Sequence, residues 1–269
     1  MNRFAKQLAY GILFIAILVF IVWGGFKLFT SVPSCTDGIL NGNEEGIDCG
    51  VAACGKQCAP TVMPLTIGEP IVIMTPQNEA DVIFTMTNPN ATLGISELPY
   101  TLELFDSTGA LITSRRGITK INPAQSRPVA ITILGISKPA KSARVTISQN
   151  DANWEKVPVA GVINASFAVR DERLNTTDSG VIYEAVVINQ SQYGFGTVEV
   201  VAILRDDNGV PIGVGTTILQ TITPSERRDI KITWPFAISG ASRADVTVFT
   251  NLMDARNYLR PSDPDVPQE

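Results

Sequence analysis

The sequence predicts an all-β protein that begins with a single transmembrane helix, continues through a small disulfide-stapled segment and ends in two tandem β-sandwich domains. Three observations predict this order. The N-terminal region contains a long uncharged apolar run, the four cysteines are confined to one short stretch, and the remaining chain repeats itself at a spacing of about 100 residues.

The first element is the run from Leu8 to Phe26, which contains no charged residue. At a rise of about 1.5 Å per residue, such a run crosses the hydrocarbon core of a bilayer. Residues 8–29 are therefore predicted to be a transmembrane signal anchor in contact with lipid. The residues expected to face lipid are Leu8, Ile12, Phe14, Ile17, Phe20, Trp23 and Phe26.

The charges around this run predict its orientation. Arg3 and Lys6 precede it and only Lys27 follows it, which favours a cytoplasmic N-terminus, residues 1–7. An even, clustered set of cysteines suits an oxidising compartment, so the rest of the chain is expected to be extracytoplasmic. Two alternatives stay open: a cleaved secretory signal, although no Ala-x-Ala site is present, and a lipoprotein box ending at Cys35.

Residues 30–61 are predicted to form a cysteine-rich stalk. The segment is too short to fold on apolar burial, so its four cysteines are expected to form two disulfides in one of three possible pairings. These cysteines are Cys35, Cys49, Cys54 and Cys58. A zinc site made of the four thiolates is an alternative.

Polar residues between the first two cysteines suggest a calcium site. Asp37, Asn41, Glu44 and Asp48 offer oxygen ligands, of which calcium takes about six to eight. The EF-hand pattern fails, because Ile39 stands at its third position and Asp48 replaces the usual Glu at its twelfth. The competing hypothesis is that these residues form turns of the stalk. The segment resembles a short motif of secreted and surface proteins, C-x-D-G-x-x-N-x-x-E-x-G-x-D-C-G.

An internal repeat organises the rest of the chain. The ordered matches are Val82-Ile83-Phe84 with Val181-Ile182-Tyr183, Leu104-Phe105-Asp106 with Leu204-Arg205-Asp206, Ile121-Asn122-Pro123 with Ile222-Thr223-Pro224, and Val145-Thr146 with Val246-Thr247. They define a first repeat, residues 62–148, and a second repeat, residues 157–252. The linker 149–156 contains Trp154, which is expected to pack at the domain junction or to complete one core. The acidic, proline-rich tail 253–269 is expected to be largely disordered.

Each repeat reads as a set of short strands. Segments such as Thr101–Phe105 and Val198–Leu204 are rich in β-branched and aromatic residues and alternate in part. Asn208-Gly209 is a hairpin turn signal, because both residues tolerate positive φ. Short strands separated by such turns predict a sandwich.

A family resemblance supports this fold. The stretch Val181–Trp234, with Asn189, Leu204-Arg205-Asp206 and Pro224-Ser225-Glu226, resembles the FxLYD-type immunoglobulin-like domain of prokaryotic surface proteins. The first repeat, with Thr87-Asn88-Pro89-Asn90, is similar to the related late-embryogenesis-abundant β-sandwich. The resemblance implies tandem immunoglobulin-like domains and brings no catalytic residues.

Composition excludes several function classes. The 269 residues include no histidine, which removes the commonest general base and zinc ligand, and no spacing identifies a catalytic carboxylate pair. Acidic residues outnumber basic ones by 26 to 21, which argues against nucleic acid as a partner.

These patterns favour a non-enzymatic surface protein that presents two β-sandwich domains for binding or spacing in the cell envelope. Its expected partner, beyond the bilayer, is an envelope protein or glycan. An accessory subunit of a secretion, pilus or transport complex is an alternative, and a hydrolytic enzyme is a more distant one.

Overall fold

A computed structural model describes residues 3–29, 35–58, 62–148, 152–159 and 165–259, and the chain divides into two compact units, Met1–Thr61 and Val62–Glu269. The first unit begins with helix α1, Arg3–Phe29, of which Lys6–Gly25 is long and apolar enough to cross a membrane. The prediction of an apolar N-terminal helix is confirmed. Six of the seven residues expected to face lipid, the first being Leu8 and the last Trp23, are exposed. The side chain of the seventh, Phe26, is not among those that the structure describes.

Two disulfides hold the cysteine-rich segment. Of the three pairings that the sequence left open, the structure has Cys35–Cys54 and Cys49–Cys58, with Cα–Cα distances of 5.6 Å and 4.9 Å. A one-turn helix, α2 (Val51–Cys54), lies between them. Gly46 is required by this packing, because a Cβ atom there would lie 2.9 Å from the Cys49 sulfur.

The second unit consists of antiparallel strands. The strands of the first repeat are β1 (Thr66–Ile67), β2 (Ile71–Met74), β3 (Ala80–Thr87), β4 (Leu93–Phe105), β5 (Leu111–Ile121), β6 (Ser126–Ile133) and β7 (Ser142–Ile147), followed by the short β8 (Glu155–Lys156). The strands of the second repeat are β9 (Phe167–Thr177), β10 (Gly180–Asn189), β11 (Phe195–Arg205), β12 (Pro211–Ile222), β13 (Arg227–Trp234) and β14 (Arg243–Thr250). The prediction of a mostly β protein is confirmed.

These strands form four sheets, two in each repeat. In the first repeat, β3 pairs with β1, β2 and β6, while β4 pairs with β5, β7 and β8. In the second, β10 lies between β13 and β9, and β11 lies between β12 and β14. Alternate residues of facing strands share a core, such as Phe84 with Leu98 in the first repeat and Tyr183 with Leu204 in the second.

The two repeats also pack against each other. The outer face of the β3 sheet contributes Ile83 and the outer face of the β11 sheet contributes Val201, Ile203 and Phe249 to one buried apolar cluster. At the edge of this contact, the Asn122 side chain donates to the Thr250 carbonyl (2.9 Å) and accepts from the backbone N–H of Leu252 (3.0 Å). Strands β3 and β11 are therefore buried on both faces.

The segments next to the second repeat differ from simple connections. Trp154 packs against the core of the first repeat, and β8 pairs with the start of β4, so this part of the linker completes one core. The first seven residues of the expected tail are ordered: Met253 is buried, and the Tyr258 hydroxyl donates to the Leu252 carbonyl (2.9 Å). Aromatic contacts such as Tyr258 with Phe195 anchor this end. Residues 149–151 and 260–269 lie outside the described residues.

Candidate functional site

A cleft of about 460 Å³ lies where the two repeats meet. Strands β4, β5 and β6 line it from the first repeat, and strands β11, β12 and β14 line it from the second. Its polar lining includes the side chains Tyr100, Thr119, Lys120, Arg127, Glu199 and Thr217. A cavity of this size with a few convergent polar groups is a candidate binding site.

Arg127 is the most buried charged residue of the cleft, with 4% of its surface exposed. It lies on β6 beside Met86 of β3, and its guanidinium carbon stands 4.1 Å from the centre of the Phe249 ring of the other repeat. Its Nη2 atom donates to the Thr119 hydroxyl (3.0 Å). Its Nε atom has no hydrogen-bond partner among the described residues.

The charge of Arg127 is not neutralised by a direct ion pair within the described part of the chain. Burial lowers the pKa of Arg127 to about 10, while the nearby Glu199 carboxylate acts in the opposite direction. The guanidinium is therefore still protonated at neutral pH. Burying a charge without an ion pair costs free energy, and the Thr119 hydroxyl, the Lys120 carbonyl and the Phe249 ring offset part of that cost.

Lys120 and Glu199 form an ion pair across the same cleft. Lys120 belongs to β5 and Glu199 to β11, so the pair joins the two repeats next to Arg127. Both side chains keep close to a third of their surface exposed, 28% and 30%. Lys120 and Glu199 are therefore paired with each other, whereas Arg127 and Glu97, which also line the cleft, form no direct ion pair among the described residues.

The four predicted calcium ligands lie together in a hydrogen-bonded cluster of the cysteine-rich segment. The Asp48 carboxylate accepts from the backbone N–H groups of Asp37 and Gly38 (2.9 Å each), and the Asn41 amide donates to the Asp37 carboxylate (2.8 Å). Glu44 Oε2 accepts from the backbone N–H of Asn41 (3.2 Å). In this arrangement, the carboxylates act as turn-forming acceptors.

The geometry offers little that favours a cation at these residues. Among the described residues, the sole group of three acidic or sulfur ligand atoms within 4.8 Å of one another is Cys35, Glu44 and Cys54, and its two sulfurs are joined in a disulfide. Asn41 Oδ1 is buried and has no hydrogen-bond partner among the residues that the structure describes. Calcium binding by Asp37, Asn41, Glu44 and Asp48 stays a prediction, whereas the disulfides leave no thiolate for zinc and no thiol for a lipid on Cys35.

Sequence reasoning did not single out the residues of the cleft. Arg127 stands alone in the sequence, without the neighbouring charges or motif that would mark a site. The repeat itself carried a signal, because Gln125 of the first repeat aligns with Glu226 of the second. In the structure, Arg228 donates to Glu226, whereas Gln125 accepts from the backbone N–H of Asn122.

Comparisons with known proteins do not assign a family. No protein-family model matches the chain, and no curated protein matches it either. Solved structures that match include an exo-chitosanase of Amycolatopsis orientalis (13% identity, 67% of this chain and 25% of that chain, TM-score 0.25) and red sea bream transglutaminase (10%, 74%, 30%, 0.22). The N-terminal tandem CBM22 domain of Xyn10C from Paenibacillus barcinonensis also matches (9%, 70%, 85%, 0.16). The chain spans about a quarter of the chitosanase and less than a third of the transglutaminase, and TM-scores this low carry no argument about fold or activity.

Proposed function

We propose that this protein is a membrane-anchored, extracytoplasmic and non-enzymatic binding protein of the cell envelope. In this proposal, α1 is the anchor, the disulfide-bonded segment is a stalk, and the two repeats are immunoglobulin-like sandwiches that present one binding surface. The observation that carries the proposal is α1 itself, whose apolar side chains from Leu8 to Trp23 are exposed.

The physical argument for a bilayer begins with the cost of this exposure. A helix that is apolar on all sides is stable where lipid or other helices surround it, and its backbone groups are satisfied internally. The disulfides that follow in the sequence favour an oxidising compartment on the far side of the membrane. Helix and disulfides are thus both compatible with an anchored extracellular protein.

The binding role is supported by the way in which the repeats pack. The contact around Ile83, Val201 and Phe249 is apolar and buried. We therefore expect little independent motion of the two repeats. A cleft between rigid walls keeps its shape and loses little conformational entropy when a ligand binds. We therefore place recognition at the cleft that contains Arg127, with an envelope glycan or protein as the partner.

Topology is the direct test of this proposal. Alkaline phosphatase, which becomes active only where its disulfides form, is fused after Glu269 of the full chain in a bacterial host. We expect active enzyme in the membrane fraction, and inactive enzyme in the soluble fraction when residues 1–29 are deleted. Activity from a cytoplasmic reporter alone would contradict the orientation.

The same cells separate an anchor from a secretory signal. Intact mass spectrometry of the purified chain is expected to show an N-terminus that precedes α1. A mature chain that begins after Phe29 and appears in the medium would replace the anchor with a cleaved signal, while the extracytoplasmic location would stand.

A further inference from the structure

We propose that Asn175 is the acceptor of an N-linked glycan. The proposal rests on the extracytoplasmic location in the proposed function, because such glycans belong to secreted and surface segments. The acceptor pattern Asn-x-Ser/Thr occurs at Asn90, Asn164, Asn175 and Asn189. Asn164 lies outside the described residues, so the structure distinguishes among the other three.

Two of these three asparagines hold the fold together. Asn90 is 4% exposed, and its amide nitrogen donates to the Met63 carbonyl (2.7 Å) and to the side-chain oxygen of Asn88 (2.9 Å). Asn189 is 0% exposed, and its amide nitrogen donates to two backbone carbonyls (2.8 and 3.0 Å). An N-linked sugar replaces one amide hydrogen and needs open space beside the nitrogen. The folded chain therefore excludes a sugar at Asn90 and at Asn189.

Asn175 has the opposite surroundings. Its side chain is exposed, and so are the four residues that follow it. It lies near the end of β9, just before the two-residue turn Asp178-Ser179 that leads into β10. The hydroxyl of Thr177, which completes the acceptor pattern, donates to the Gly180 carbonyl (3.0 Å) across this turn. The pattern thus lies at the tip of a hairpin, where a transferase can reach it.

The strand also directs Asn175 away from the core. The preceding residue, Leu174, stands opposite the buried Tyr183 and packs against the core, so alternation places Asn175 on the outer face, opposite Ile182. In the first repeat, the outer face of the β3 sheet is covered, and Ile83 is 5% exposed in the contact with the second repeat. Ile182 on the outer face of the β10 sheet stays partly exposed. A glycan on Asn175 would cover this part of the open face.

The position on β9 gives the glycan a physical role. Strand β9 is the outer strand of its sheet, and outer strands offer backbone groups that can pair with other chains. Four consecutive charged residues, 170–173, protect the middle of the strand, whereas the segment 174–177 carries no charge. A bulky, hydrophilic glycan at Asn175 protects this uncharged end from edge-to-edge pairing.

The modification is a group transfer without a redox step. The donor is a lipid-linked oligosaccharide, and the Nδ2 atom of Asn175 attacks the anomeric carbon of its first sugar. A carbon–nitrogen bond forms there while the carbon–oxygen bond to the lipid pyrophosphate breaks. The pyrophosphate leaves with the bonding electron pair, and one amide proton passes to a base of the transferase.

The test is expression of the full chain in a eukaryotic host that attaches N-linked glycans in its secretory pathway. We expect the folded, membrane-bound chain to carry a sugar on Asn175, which is seen as a gel shift that an endoglycosidase reverses and is located by peptide mass spectrometry. Thr177→Ala destroys the acceptor pattern and should abolish this sugar. Thr176→Ala is the matched control, because it leaves the pattern intact and should retain the sugar. Sugar on Asn175 that survives Thr177→Ala would overturn the proposal.

A second form of the chain separates the site from the anchor. A cleavable secretory signal replaces residues 1–29, and the repeats stay whole because they belong to the compact unit Val62–Glu269. Size-exclusion chromatography and circular dichroism select the folded chains. Sugar on Asn175 of this secreted chain but not of the full chain would keep the site and contradict the proposed orientation. An unmodified Asn175 in the secreted chain, or sugar on Asn90 or Asn189 of folded chains, would overturn the proposal.

Discussion

Strands β4 and β11 occupy equivalent positions in the two repeats, yet they meet different surroundings. Residues of β4 that point away from its core include Thr101 and Glu103, and Glu103 lies within 3.7 Å of Arg144 at the surface. The matching residues of β11 are Val201 and Ile203, which are buried against the first repeat. The equivalent strands β4 and β11 therefore have different outer faces. The apolar outer face of β11 forms the contact between the repeats.

The same contrast appears at Arg127 and Arg228. The contact between the repeats covers the first guanidinium with Phe249, while the second stays near the surface with Glu226. Inside each repeat, in contrast, the buried asparagines Asn88 and Asn189 make equivalent hydrogen bonds to backbone carbonyls. Each repeat thus contains a buried asparagine, whereas of these two arginines Arg127 alone is buried, at the contact between the repeats.

The largest expected effect comes from placing a charge in the contact between repeats. Ile203→Asp should lower the free energy of unfolding by about 3 kcal/mol or more, because its carboxylate would be buried without a partner. Urea denaturation followed by tryptophan fluorescence measures this loss. Glu103→Ala, at the matching position of β4, is the control and should cost about 0.5 kcal/mol or less. Equal losses in the two variants would break the comparison.

A second prediction concerns what the repeats share. The Asn189 amide donates to the Tyr193 and Thr223 carbonyls (2.8 and 3.0 Å), and the Asn88 amide donates to the Leu93 and Asn122 carbonyls (2.7 and 2.8 Å). Asn189→Ala and Asn88→Ala should each cost about 3 kcal/mol, since each strands two buried acceptors. Chemical denaturation of both variants checks this. Losses that differ by more than about twofold would show that the two asparagines are not equivalent.

Asn122 sharpens the difference between the repeats. Its side chain bonds to Thr250 and Leu252 of the second repeat, so Asn122→Ala should cost about 2 kcal/mol. Thr223 stands at the matching position, is exposed, and bonds through its hydroxyl to the nearby Glu226 (2.9 Å). Thr223→Ala should cost about 0.5 kcal/mol. Thermal melting of the two variants in parallel decides, and a milder effect of Asn122→Ala than of Thr223→Ala would contradict the edge contact.

The smallest expected effect is a pH dependence at Glu226. The backbone N–H of Thr223, then Arg228 and the Thr223 hydroxyl, lower the pKa of Glu226 from its ordinary value of 4.5 to about 2. Its charged form therefore stabilises the protein above pH 4.5, and this contribution is lost as the pH falls towards 2.

The matching measurement compares wild type with Glu226→Gln, which gives the second repeat the residue type of Gln125. The wild type should be more stable by about 1 kcal/mol or less at neutral pH, because the carboxylate is partly exposed. Denaturation curves over the acid range should show this advantage vanishing. An advantage that does not change with pH would mean that Glu226 acts through packing.

Much of the local structure could be predicted from the sequence. The apolar helix, the two disulfides and the strand-rich repeats each follow from local composition and spacing. The disulfide pairing could not be predicted, because it depends on turns that bring Cys35 to Cys54 across the segment. Trp154 could complete either core, and only packing assigned it to the first.

The cleft shows where sequence reasoning ends. The contiguous apolar run Val82-Ile83-Phe84 is typical of a strand buried on both faces, and in the structure a second surface does cover β3. It did not say which surface, since burial depends on contacts between residues far apart in the chain. Gln125 and Glu226 are visible as a difference between the repeats, but a neutral glutamine near an arginine is common.

By itself, the sequence determined an apolar helix, an even set of cysteines and a duplicated β pattern, because helix length, cysteine count and residue alternation are local properties. The tertiary structure decided the disulfide pairing, the contact between the repeats and the burial of Arg127 beneath Phe249. The physical reason is that the energetic effect of an arginine charge depends on its exposure to solvent and on the groups around it. Arg127 and Arg228 begin from one pattern, and only the packing of the β11 sheet removes one of them from water.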